Sequence, residues 1–259
     1  MSVAKPRILI YDLETAPDLG HSWRKWDTNL LDFHSNWYML SFAWKWLGER
    51  KTYVLGLDDY NGYQADMQND YSLTEDLWML FDQADITVAH NGRAFDKGKA
   101  QARFIYHNME PPSPTKDIDT FLIAKKEFRF TSNSLKDLAQ YLKLETQKGD
   151  PGTFQTWLNC MAGDPKAWKL MKKYNRQDVV VLEQLYLRLR PWTTGHPNMA
   201  LFDDNHPDAC PKCGVSGQMQ GRGWRYYSVT RRQRFQCQAC GGYSLGRILE
   251  KTKVLYVAN

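Results

Sequence analysis

Several acidic residues in this sequence stand at spacings that suit divalent-metal chemistry. In Ile10-Tyr11-Asp12-Leu13-Glu14-Thr15 two carboxylates lie two positions apart. Positions i and i+2 of a strand share a face, so Asp12 and Glu14 converge where the apolar run from Arg7 ends. Side-by-side carboxylates repel, and a pair of Mg²⁺ or Mn²⁺ ions is the usual resolution. Taken alone, Asp-x-Glu also describes a strand end with incidental charges. A third acid, Asp96, closes Val88-Ala-His90-Asn91-Gly92-Arg-Ala-Phe95-Asp96, a strand-to-loop-to-helix pattern. Asp at that point is equally an ordinary complement to a helix N-terminus. The fourth is Asp178 in Tyr174-Asn-Arg-Gln-Asp178, where i, i+4 spacing sets a phenol and a carboxylate on one helix face. Val179, Val180, Leu182, Leu185 and Leu189 would anchor that face to a core, and a Tyr–Asp pair there is also a common structural hydrogen bond.

A second chemistry sits near the C-terminus. Four of the five cysteines form two C-x-x-C pairs, Cys210/Cys213 and Cys237/Cys240, each followed by Gly. Four thiolates so spaced fit a closed tetrahedral Zn²⁺ site, structural rather than catalytic because no position stays open. Cys160 stands apart and reads as an inert buried thiol. Between the pairs, Arg222, Trp224, Arg225, Arg231 and Arg232 interleave guanidinium and aromatic groups. That suits phosphate contact and base stacking, against the plainer alternative of a hairpin with inward aromatics and solvated Arg. Residues 205–259 carry a net charge of +7 and the remainder −2. A basic tail on a mildly acidic body suggests a polyanionic partner.

The elements that must position these groups follow from periodicity. Residues 7–12 read as a buried strand, 37–47 and 51–57 as a hairpin, and 86–89 and 116–118 as further strands. Ser72-Leu-Thr-Glu75 has the form of a capping box opening a helix to about Ala84. Helices are predicted near 95–108, 119–128, 134–142 and 153–162, with a long one from Pro165 to Pro191. Alternating strands and helices imply an α/β fold with a mixed sheet. Residues 193–207, rich in Pro, Asn and His, read as a linker between a domain at 1–192 and a zinc-ribbon module at 208–259. Hydrophobic residues make up 42% and aromatic residues 14%, which argues against disorder. No segment has the length and apolarity of a membrane span, and the N-terminus lacks a signal-peptide core. A soluble, cytoplasmic protein is expected.

Together, in this order and on these elements, the acidic patterns and Tyr174 resemble the DEDDy branch of the DnaQ-like 3′→5′ exonucleases, within the RNase H-like superfamily. Lys116-Asp117-Ile118-Asp119-Thr120 is similar to that family too, and position 173 is Lys where the sister branch has His. The resemblance implies an RNase H-like mixed sheet flanked by helices, with a small C-terminal zinc-ribbon hairpin. It also implies catalytic Asp12, Glu14, Asp96, Tyr174 and Asp178. Asp12 would bridge two ions, Glu14 and Asp178 would hold the one that activates water, and Asp96 the one at the leaving 3′ oxygen. Tyr174 would orient the water. Leu13, Thr15, Asn91 and Phe95 are candidates for contact with the terminal nucleotide, with packing as their alternative. Asp117 and Asp119 read as supporting or capping groups, and His90 as structural. The ribbon resembles those attached to phage-encoded exonucleases, which would put the protein in a host cytoplasm beside replication or repair proteins. No G-x-S-x-G, H-E-x-x-H or G-x-x-x-x-G-K motif points to other chemistry. A non-catalytic nucleic-acid scaffold and an endonuclease on the same fold remain the competing readings.

Overall fold

The computed structural model describes residues 5–24, 30–147, 149, 152–247 and 250–251. Residues 1–4 and 252–259, with Lys253 of the basic tail, lie outside the described residues. The chain divides into two compact units. One comprises Arg7–Lys125 and Phe130–Leu185; the other is chiefly Lys126–Arg129 and everything from Tyr186 onward.

In the first unit, β1 (Ile8–Thr15) leads to a short antiparallel pair, β2 (Leu19–His21) and β3 (Asp32–Ser35), then to the hairpin β4 (Met39–Trp46) and β5 (Tyr53–Gly56). The helix α1 (Tyr71–Gln83), β6 (Ile86–Ala89), α2 (Asp96–Tyr106), β7 (Lys116–Asp119), α3 (Thr120–Glu127), α4 (Leu135–Tyr141), α5 (Gln155–Met161) and α6 (Pro165–Leu189) follow. Five strands form one sheet in the order β5-β4-β1-β6-β7. β1 pairs antiparallel with β4 and parallel with β6, giving the mixed sheet the sequence implied.

Burial explains the arrangement. Ile8, Leu9, Ile10 and Tyr11 are all buried, as a central strand covered on both faces requires. Along α6 the residues Trp168, Met171, Tyr174, Asn175, Asp178, Val179, Leu182 and Leu185 are buried, a stripe of helical period. Its middle is polar, and that polarity faces the end of β1. Of the residues expected to anchor this helix, Val180 is only half-buried, and the neighbouring Val181 takes the core position instead. The helical rotation of about 100° per residue separates the two.

A further correction concerns α1. The capping box expected at Ser72 and Glu75 does not form, because the helix starts two residues earlier with Asp70 at its N-cap. The Asp70 side chain does not cap either. It is fully buried, accepts from the Met39 amide at 2.8 Å, and pairs with Arg103 and with His107 at 2.7 Å. A buried carboxylate needs charged partners more than a helix end needs a cap. The β2–β3 pair is an addition to the predicted elements.

In the second unit β8 (Met219–Tyr226) and β9 (Thr230–Cys237) form the expected hairpin. β10 (Tyr243–Leu245) and β11 (Glu250–Lys251) pair on the other side of β9. The stretch read as a linker contains a 3₁₀ turn, Met199–Phe202, and His196 stacks on Tyr186. Among the described residues no helix is long and apolar enough to cross a membrane.

Candidate active site and cysteine cluster

β1 runs past Ile10, its last residue paired with β6 (opposite Val88), so Asp12 and Glu14 stand beyond the parallel ladder. On its other side they oppose Ala43 and Ser41 of β4, and the ladder slips between Glu14 and Thr15. Such an irregularity re-aims a strand end, a recurrent feature beside active sites. Asp178 reaches the same place from α6. One carboxylate oxygen from each of Asp12, Glu14 and Asp178 lies within 4.8 Å of the others.

Uncharged donors reach these acids. The Asn175 side-chain amide donates to Asp12 Oδ2 at 2.7 Å and to the Asp12 carbonyl at 3.2 Å, while its own oxygen accepts from Ser41 Oγ at 3.1 Å. The Trp157 indole N–H donates to Glu14 Oε2 at 3.1 Å. Tyr174 is hydrogen-bonded to Asp178, and its pKa is raised first by burial and then by the charges of Asp178, Glu14 and Asp12. Tyr174 is therefore a neutral phenol throughout the working pH range. These donors orient the carboxylates without cancelling their negative charge. An all-oxygen set of three converging carboxylates fits a hard cation such as Mg²⁺ or Mn²⁺.

The fourth expected acid stands apart from the other three. Asp96, buried as the first residue of α2, accepts from the backbone N–H of Leu13 at 3.0 Å. It thus meets β1 between Asp12 and Glu14, but from the loop side. That loop is built for the purpose: Asn91 adopts φ 65°, and Asp119 at the end of β7 accepts from the amides of Asn91 and Arg93 and from those of Phe121 and Leu122 opening α3. Asp117 pairs with Lys97 at 2.7 Å. Its pKa is lowered on balance: burial pushes it up, and the bonds from Lys97 and Thr87 outweigh that. His90 meets Thr120 Oγ1 and the Asn133 carbonyl, each at 2.9 Å, a structural position.

Beside Glu14 opens a cleft of about 550 Å³ whose walls include Thr15, Trp37, Phe95, Lys99, Phe154 and Trp157. Of the four expected nucleotide contacts, Thr15 and Phe95 are on this wall. Leu13 is instead buried in the core, and Asn91 is on the loop that presents Asp96. Lys99 lies 3.7 Å over the Trp37 ring, and burial lowers its pKa. The sequence reading missed Asn175, Trp157, Ser41 and Trp37. Asn175 did leave a trace: a poor helix former in the middle of a long helix, three residues before an acid, needs a reason.

In the second unit the four thiols converge. Cys210 Sγ lies 3.8 Å from Cys240 Sγ, and Cys213 Sγ 3.7 Å from Cys237 Sγ. A tetrahedral ion with bonds of about 2.3 Å would separate its sulfurs by roughly 3.75 Å. Gly214 and Gly241 adopt φ 76° and 77°, turning each knuckle so that the amides of Lys212 and Gly242 point at Cys210 and Cys240 from 3.4 Å. The donor set fits Zn²⁺.

On the hairpin, Arg225 lies directly opposite Arg232, a like-charge pair that costs stability unless an anion offsets it. Alternation puts Arg234 on the same face, and a cleft of about 280 Å³ joins Arg225 and Arg234 to Tyr243. Arg231 covers the Trp224 ring at 4.2 Å, and Arg222 donates to Gln236 at 3.2 Å. Arg234 belongs to the interleaved Arg and aromatic stretch seen in the sequence, whereas Tyr243, beyond the second cysteine pair, does not.

Comparison with known proteins agrees with this architecture. A family model described as RNase H superfamily, RNase_H_2, matches residues 47–190, more than half of the chain. The chain belongs to the RNase H superfamily. No curated protein matches it at the sequence level. Among solved structures it is similar to the family B DNA polymerase from the hyperthermophilic archaeon Pyrobaculum calidifontis. The TM-score is 0.50 and the identity 13%, over 72% of this chain and 25% of that one. At that identity the likeness speaks for the fold alone, and this chain spans about a quarter of the polymerase's length.

Proposed function

We propose that the protein is a divalent-metal-dependent 3′→5′ exonuclease of the DEDDy type, releasing 5′-mononucleotides from DNA or RNA. The observation that carries this reading is the convergence of Asp12, Glu14 and Asp178 beside an aromatic cleft large enough for a nucleotide. Asp12, Glu14 and Asp178 would hold the Mg²⁺ or Mn²⁺ ions, with Asp96 adjoining them. Bound there, such ions lower the pKa of water and offset charge on the reacting phosphate. Tyr174, kept neutral, supplies a hydrogen-bond donor at the same point. Phe95, Trp157 and Trp37 offer faces for the terminal base and sugar, and Lys99 a cation for phosphate.

On this reading residues 1–192 are the catalytic domain, 193–207 a linker, and 208–259 a zinc ribbon that grips the strand. Arg222, Trp224, Arg225, Arg231, Arg232 and Arg234 would make the ribbon's contacts. The enzyme would work in the cytoplasm, that of a host if phage-encoded, alongside replication or repair proteins.

The test is incubation of 5′-end-labelled single- and double-stranded DNA and RNA with the full chain in Mg²⁺ or Mn²⁺. A ladder shortening from the 3′ end, with mononucleotides as first products, is expected. Oligonucleotides as first products would make it an endonuclease. Binding with no turnover in either metal would make it a scaffold and overturn the proposal.

A further inference from the structure

Outside the site described above, the β2–β3 pair brings three metal-ligating side chains together. His21 is the register partner of Asp32, and Asp32 and His34 are two residues apart on one strand. Cross-strand pairing and strand alternation therefore put all three on one face before any rotamer is chosen. One ligand atom from each lies within 4.8 Å of the others. His34 Nε2 is 3.0 Å from His21 Nδ1, Asp32 Oδ2 is 3.9 Å from that same nitrogen, and the imidazoles are nearly perpendicular with centroids 4.2 Å apart. Ligands on a tetrahedral Zn²⁺ with bonds of 2.0–2.1 Å stand roughly 3.3 Å apart, so the two separations from His21 Nδ1 need to change by only about half an ångström or less.

The strand pair is shaped for this register. The ladder slips between Leu19 and Gly20, and a Cβ at Gly20 would lie 2.1 Å from the Asp32 carbonyl oxygen. Only glycine lets β2 approach β3 this closely, one residue before His21.

The geometry points to His21, Asp32 and His34 as a third cation site, for a transition metal of the Zn²⁺, Ni²⁺ or Cu²⁺ class. Two imidazoles and one carboxylate suit these ions and serve Mg²⁺ poorly. The chemistry differs from the all-oxygen acidic cluster and from the four thiolates. All three side chains are exposed, so an ion has access and its remaining position is left to water. The bound ion would cross-link two strands whose base is closed by the Trp37 amide donating to Asp18 at 3.0 Å. Asp18 and Trp37 both belong to the cleft wall beside Glu14, so the staple would stiffen that wall.

The site does not depend on nuclease activity, and the test does not read it. The full chain, its cysteine cluster already loaded with zinc, is dialysed against buffered Zn²⁺ in millimolar Mg²⁺, which occupies the acidic cluster. Wild type is expected to bind one more zinc per chain than the His21→Asn/His34→Asn double variant, with Asp32→Asn at least about tenfold weaker than wild type. Histidine Cε1–H NMR resonances of wild type provide a readout that needs no variant: those of His21 and His34 should shift with Zn²⁺ and not with Mg²⁺. Equal zinc content in wild type and the double variant would overturn the assignment. So would unmoved His21 and His34 resonances, or an affinity weaker than ~1 mM.

Discussion

Replacing Asp178 by Asn tests the acidic cluster through stability as well as activity, and the two should move in opposite directions. Asp178 is 1% exposed and has an oxygen within 4.8 Å of carboxylate oxygens of both Asp12 and Glu14. Two unit charges at that distance repel by about 3.5 kcal/mol at an effective dielectric near 20. Water at the half-buried Asp12 and Glu14 reduces the net effect to about 1–3 kcal/mol for the two pairs together. Burying a charged Asp178 costs more than burying an amide, which adds to the same side. Asn is nearly isosteric and keeps an acceptor for Tyr174. Without divalent cations the variant should therefore melt at the wild-type temperature or above, by about 2–4 °C per kcal/mol for a unit of this size. Saturating Mn²⁺ should invert the order. An ion at a hundred times its Kd stabilises wild type by about 2.7 kcal/mol, and the variant has lost a ligand. Activity should fall more than about a hundredfold. Melting is followed with and without Mn²⁺ in buffer free of chelators, which would strip zinc from the cysteines. A variant clearly less stable than wild type without metal, or equal stabilisation of both by Mn²⁺, would refute the reasoning.

Three other outcomes follow from the same geometry. Asn175→Ala removes the amide that links Asp12 to Ser41 and leaves buried polar atoms short of partners. It should cost about 1–3 kcal/mol in urea unfolding and lower kcat about 10- to 100-fold. At alkaline pH the fold should weaken: burial raises Tyr38 to about 12, and Tyr11 and Tyr174 are raised as well, while unfolded phenols ionise near 10. A raised pKa gives stability that is intact below the unfolded value and is lost as pH rises from there through the folded one. The urea midpoint should thus be flat up to about pH 10 and fall beyond it, and a midpoint that holds at about pH 11 would contradict this. Removing the Zn²⁺ that Cys210, Cys213, Cys237 and Cys240 would hold should speed hydrogen exchange across β8, β9 and β10. β1 and β4, which belong to a unit with its own core, should stay protected.

What could be read from the sequence, and what could not, divides along a physical line. Asp12 and Glu14 were legible because strand alternation is a local rule, and it put both on the half-exposed side of β1 while Leu13 went into the core. The cysteine knuckles were legible because ligand and turn are adjacent in the chain. Errors arose where a local rule met a distant competitor. Ser72 and Glu75 satisfied the capping pattern, but Asp70, held by Arg103 and His107 from α2 and its C-cap, set the start of α1. Neutral donors left the weakest traces. An indole 143 residues from Glu14 and an amide 163 residues from Asp12 have no charge whose clustering could announce them. Asn175 still had a signal of a different kind, since a buried amide in mid-helix is a local cost that only a partner across the fold explains. The same logic extends to Arg225 opposite Arg232: a like-charge pair across the hairpin is a local cost that a bound anion would offset, in keeping with the strand contact proposed for this module.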